Sequence, residues 1–267
     1  VTVATQTRRD TTFAHVLRSE WTKLVSVRST VWTMIIMVGT TVGFSVLISW
    51  ATEANWAKVE ARQRSVFDAT STSLSGLVFG QLAIAVLGVM VISTEYSTGG
   101  IRTSLTAVPT RLRLLGAKAV VLAVPSLVVG TLTCFVSFFL GQAFLAKVGI
   151  ETHLSSPGVL RAVFGGGLYL TATAMFGLAL GALLRHTAAG ITIAVAALLV
   201  VPPFTALLPG TWGDAIQRYF TSNAGQQITA VTQDVNTLSP WNGYAVYTLW
   251  WVVILAVAAW LMQRRDA

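Results

Sequence analysis

LSGLVFGQLAIAVLGVMVIST (residues 74–94) runs for 21 residues without Asp, Glu, Lys, Arg or His. A helix rises about 1.5 Å per residue, so this run can cross a hydrocarbon core of roughly 30 Å. Five further runs, at 30–50, 119–141, 162–184, 187–208 and 243–262, are equally free of these five residue types. Inside lipid every backbone N–H and C=O needs a partner within the segment, which a helix supplies. The expected fold is an all-α membrane protein with six transmembrane helices. Its function should concern something crossing, entering or leaving a bilayer.

Charged residues make up 10% of the 267, against about 25% in soluble domains. The formal net charge is +8, and its distribution gives it meaning. With the N-terminus inside, the inner segments hold 12 of the 18 Lys and Arg residues and the outer segments hold 6. Four acids fall inside and six outside, so the whole excess lies on the inner side. This positive-inside asymmetry assigns an N-in/C-in topology and argues against a nucleic-acid surface. Cys134, the single cysteine, lies in the third run, which excludes an internal disulfide and a Cys-based metal cage. The first run is too long for a secretory signal core of about 7–15 residues and is expected to stay as an anchor.

Residues 1–12 read as a disordered tail, and 13–267 as one transmembrane domain. Phe13, Val16, Leu17, Trp21 and Leu24 share one helical face, with Arg18 and Lys23 on the others. That pattern predicts an amphipathic helix over 13–28 in the inner headgroup layer. Small-residue pairs at Gly39–Gly43, Gly76–Gly80 and Gly177–Gly181 are candidates for close helix contacts. Pro202–Pro203 remove two backbone donors, so the fifth span should kink or break there. The outer loop 51–73 is expected to be partly helical. In the outer segment 209–242, Trp212, Ile216, Tyr219 and Phe220 recur at helical spacing, predicting short amphipathic or re-entrant helices.

The inner loop 95–118 opens with EYSTGGIRTSLTAVPTRLR (residues 95–113). It reads as a helix end at Glu95, a glycine turn, a short helix from about Ile101 and a stop at Pro109. The stretch holds no His, no second carboxylate and no nucleophile–base pair. Such a surface suits docking better than catalysis.

Two stretches, Ser19-Glu20-Trp21-Thr22-Lys23-Leu24 with Val27-Arg28-Ser29-Thr30, and the ordered Glu, Gly, Arg-Thr, Leu, Pro and Arg of 95–111, carry a resemblance. On them, and on the six-span plan, the chain resembles the permeases of type-2 ATP-binding-cassette (ABC) exporters, particularly the single-domain actinobacterial kind. Gly100 stands where that family often has Thr. The resemblance implies an ATPase-coupling element made by Glu95, Tyr96, Gly99, Gly100, Ile101, Arg102, Thr103, Leu105, Pro109 and Arg111. Beside it would lie the interfacial helix, with Glu20, Trp21, Lys23, Leu24 and Arg28. It also implies two copies of a P-loop ATPase that carry ATP and Mg, and a second copy of this chain or a related permease. This chain itself would bind no cofactor, and it contains no G-x-x-x-x-G-K-[ST] motif.

By the same resemblance, spans two and five line the cargo path, which nominates Gln81, Phe204 and Thr205. The absence of charge within the spans points to an apolar or amphipathic cargo such as a drug, a lipid or a lipopeptide. Efflux across the plasma membrane is then the expected function. The principal rival is an ion-coupled secondary transporter or channel, which usually carries a midplane charged group that these spans lack. An integral-membrane enzyme is disfavoured, because His15, His153 and His186 fall inside, outside and inside and cannot share one metal.

Overall fold

The computed structural model describes residues 12–100, 103, 106, 110–233 and 237–264. All of the expected tail except Thr12 lies outside the described residues, as do Ile101, Arg102, Leu105 and Pro109. Helix α1 (Phe13–Ser26) turns at Val27 into α2 (Arg28–Asn55). The short α3 (Ala61–Ser65) and α4 (Ala69–Ser73) lead along the outer side into α5 (Leu77–Ser97), and α6 (Arg111–Leu145) follows. Next come α7 (Val159–Leu184) and α8 (Thr187–Val195), with a π turn at Ala196–Val200 joining α8 to α9 (Val201–Thr205). On the outer side α10 (Gly210–Tyr219) and α11 (Thr221–Gln226) precede α12 (Pro240–Arg264), which returns inside. Among the described residues there are six helical stretches long and apolar enough to cross a membrane, and no strand.

These stretches match the six apolar runs, with two differences at the inner loop. Helix α5 continues through Glu95 to Ser97, and α6 begins at Arg111, well before the apolar run at 119. Residues 111–118 are therefore helical and not loop. Polar side chains do not end a helix when its backbone bonds are already made, so hydropathy underestimates its length. The fifth span leaves α geometry just before the proline pair, as the π turn at Ala196–Val200, and both prolines lie in the first turn of α9. Continuing that i→i+5 register past Ala197 would require an N–H at Pro202, which has none. The hydroxyl of Thr221 donates to the Ala197 carbonyl instead, at 3.1 Å.

Helix α7 is the centre of the bundle and its most buried span. Small residues make that position available. A Cβ built on Gly177 would lie 2.2 Å from the Ala85 carbonyl oxygen, and one on Gly181 would lie 2.6 Å from that of Val89. Backbones this close gain dispersion contacts along the whole crossing, which is how helices associate in lipid. Gly76 meets the Thr41 carbonyl of α2 in the same way, whereas Gly39 and Gly43 have open space around them. The same spacing thus marks a contact in two cases out of three.

The outer segment after α9 divides as its two sequence patterns suggest. Helix α10 leaves Trp212, Ile216 and Tyr219 exposed on one face. Helix α11 and the turn after it sink into the bundle: Ala224 and Ile228 are fully buried, and Gly225 lies against the rings of Tyr169 and Tyr247. Trp250, near mid-span by sequence, donates its indole N–H to the Tyr219 carbonyl at 3.0 Å and anchors this segment to α12.

Candidate functional site

Four charged side chains converge where α1, the end of α5 and the start of α6 meet. Lys118 Nζ lies 2.7 Å from Glu20 Oε2 and 2.6 Å from Glu95 Oε1. Lys23 Nζ lies 2.6 Å from Glu20 Oε1 and 3.1 Å from Glu95 Oε1. The ion pairs form a closed, alternating ring of net charge zero. Lys118 is 2% exposed and Glu20 is 5% exposed, while Lys23 is 42% exposed at its side chain. Buried charges are tolerated only when each is paired and hydrogen-bonded, and the ring meets that condition. Burial of the Lys23 ammonium works against its charged form, but Glu20 and Glu95 outweigh it and hold its pKa above the ordinary lysine value. Its share of stability is therefore present at neutral pH and is lost only as pH rises through that raised value.

Local sequence explains how each member arrives. Glu20 and Lys23 stand three apart on α1, so both reach the same side of that helix. Val16, Glu20 and Leu24 form the buried face, whereas Phe13, Trp21 and Val25 are exposed. The apolar stripe of α1 is thus divided, one part packing on protein and the other facing outward. Glu95 sits in the last turn of α5, where the helix dipole disfavours a carboxylate, and the two lysines offset that. Gly99 follows in the left-handed region at φ +72°, which closes the helix end. A cavity of about 330 Å³ lies beside the ring, walled by Leu24, Leu87, Met90 and Val121 among others.

Sequence reasoning nominated Glu20, Lys23 and Glu95, and the structure brings all three together. It missed Lys118, the last residue of the inner loop 95–118 as hydropathy divides the chain. The available signal was its position directly before an apolar run, mirroring Glu95 directly after one. Arg185 was also missed. It is the only non-glycine with positive φ among the described residues (φ 53°), and its guanidinium lies 5.0 Å from the Tyr96 ring centroid. Of the other coupling candidates, Gly100 and Thr103 are helical. The guanidinium of Arg111 donates to the Met262 carbonyl on α12. Trp21 and Arg28 are exposed.

The cargo candidates lie in three different settings. Gln81 is fully buried; it accepts from the Tyr169 hydroxyl and donates to the Val78 carbonyl at 3.1 Å. Gln226 from α11 reaches the same hydroxyl at 3.4 Å. Thr205 is buried, donating to the Pro202 carbonyl and accepting from Asn223, while Phe204 is 61% exposed. In this conformation only Phe204 presents its side chain outward. Tyr169→Phe, which removes the hydroxyl joining α5, α7 and α11, is expected to cost about 0.6–2 kcal/mol. A thermal unfolding midpoint in detergent measures it, and an unchanged midpoint would contradict the network. Among the described residues no three His, Cys, Asp or Glu side chains group as metal ligands.

The family model described as ABC-2 family transporter protein matches residues 16–202. That range takes in α1 from Val16 onward, every member of the ion ring and the chain as far as Pro202. No curated protein matches the chain. The chain therefore belongs to the ABC-2 transporter family, as a multi-pass membrane permease of the plasma membrane that works with an ABC ATPase.

Proposed function

We propose that the chain is the permease subunit of an ATP-driven exporter that moves an apolar or amphipathic cargo out of the cell. ATP and Mg would reside on two copies of the ATPase, and a second permease would complete the pathway. The observation that supports this reading best is the ion ring. It joins α1 and both helices that bound the inner segment 98–110, so a force applied there by the ATPase reaches three elements at once. Helix α1 then carries the movement through the Val27 elbow to α2, and α5 and α6 carry it directly across the membrane. Alternation of a central cavity between inside and outside follows from tilting these helices.

The test is transport in inside-out proteoliposomes containing the chain and its ATPase, read as cargo accumulated per ATP hydrolysed. With Glu20→Gln or Glu95→Gln, hydrolysis is expected to continue while transport per ATP falls severalfold. Unchanged transport in both variants would remove the ring from the coupling path. Transport that follows an ion gradient without ATP would replace the exporter reading with an ion-coupled carrier.

A further inference from the structure

We infer that the inner ends of α6 and α12 form a binding site for the phosphate headgroup of an anionic glycerophospholipid of the inner leaflet. This goes beyond the exporter reading and does not depend on it. A cavity of about 440 Å³ lies there, lined by Thr110, Arg111, Leu112, Arg113 and Gln263. The hydrogen bond from Arg111 to the Met262 carbonyl ties the two helix ends together and shapes the cavity between them. Arg113 is exposed at this wall. Directly after Gln263, the Arg264 guanidinium lies 4.3 Å from the ring centroid of Trp260.

The depth of this cavity matches a headgroup. Trp260 is 50% exposed and Leu112 is 49% exposed, and both adjoin the charged residues that end the apolar span. Trp beside Arg at a span end marks the boundary between hydrocarbon and headgroups. Guanidinium groups present planar forks of donors that fit phosphate oxygens. Basic pockets between helices on the cytoplasmic side hold anionic headgroups for this reason. The local charge is also of the right sign. Of the inner-side acids, Glu20 and Glu95 are the two described, and both are engaged with Lys23 and Lys118. Leu112 and Trp260 add apolar surface that suits a glycerol backbone and the first acyl carbons. Free phosphate would gain nothing from that surface, which favours a lipid.

The test uses the full chain with its ATPase, in nanodiscs holding equal amounts of phosphatidylglycerol and phosphatidylcholine. Native mass spectrometry then counts the lipids that remain bound. Phosphatidylglycerol is expected to be retained preferentially. Arg113→Gln is expected to lower that retention about fivefold, and Arg264→Gln to lower it as well. Arg62→Gln, on the outer side, should leave it unchanged. Arg111 is left intact because it also holds α12. Equal retention of the two lipids, or full retention in both inner variants, would overturn the site. Displacement of the lipid by inorganic phosphate would convert it to a free-phosphate site. Loss of the ATPase from Arg113→Gln with lipid retention intact would make it a protein-docking surface.

Discussion

Replacing Lys118 with alanine is expected to destabilise the folded permease by about 3–5 kcal/mol, because it takes away the buried partner of Glu20 and Glu95 and leaves them only the half-exposed Lys23. Lys118 is the member that α6 contributes to the ring, and its ammonium bonds both Glu20 and Glu95. Lys23→Ala should cost about 1 kcal/mol or less, since that side chain is half-exposed and water can take over. Unfolding of the detergent-solubilised variants separates the two. Equal midpoints for Lys118→Ala and the unaltered protein would show that the ring carries no stability. A triple variant, Lys118→Met with Glu20→Gln and Glu95→Gln, removes the three more deeply buried charges of the ring and leaves only the half-exposed Lys23. It is expected to recover most of the stability while leaving transport per ATP low, which would separate the ring's coupling role from its structural one.

Gly88→Leu is expected to prevent α5 and α7 from packing at all. A Cβ at Gly88 would lie 2.1 Å from the Ala174 carbonyl oxygen and 2.8 Å from the Leu178 nitrogen, both backbone atoms that cannot rotate away. Overpacking a core typically costs about 1–3 kcal/mol when side chains can adjust, and here the helices themselves must separate. Gly39→Leu, at a glycine with nothing within 4 Å, is the matched control and should be tolerated. The yield of monodisperse protein after solubilisation reads the difference. Comparable yields for the two variants would contradict the close crossing of α5 and α7.

Much of the architecture was legible because it rests on properties additive along the chain. Six runs without charge specify six spans whatever their neighbours are, since lipid is the partner of each. Counting Lys and Arg on alternate sides assigns the topology for the same reason. The irregularity beside Pro202–Pro203 is legible because a missing N–H is a local fact. The π turn that accommodates it, and the use of Thr221 to satisfy the Ala197 carbonyl, depend on where α11 lies.

The candidate site was legible only in part. Glu20, Lys23 and Glu95 are visible as charges at membrane boundaries, and the family resemblance groups them near a coupling element. Lys118 alone stands directly before the apolar run, but nothing local says which of Arg111, Arg113 and Lys118 turns inward, since all three belong to the same inner loop. Helix α6 starts at Arg111 and turns Lys118 inward to meet residues 98 and 23 positions away in sequence, while Arg113 is turned outward. Likewise Gly39–Gly43 and Gly177–Gly181 have the same spacing, and only the second has a helix backbone against it. The sequence by itself determined the number of spans, their orientation and the amphipathic entry helix, because hydrophobicity and charge act on each segment independently. Only the tertiary structure decided which glycines are crossings, which face of α1 packs inward and which lysine completes the ring, because each of these is a relation between helices and not a property of one.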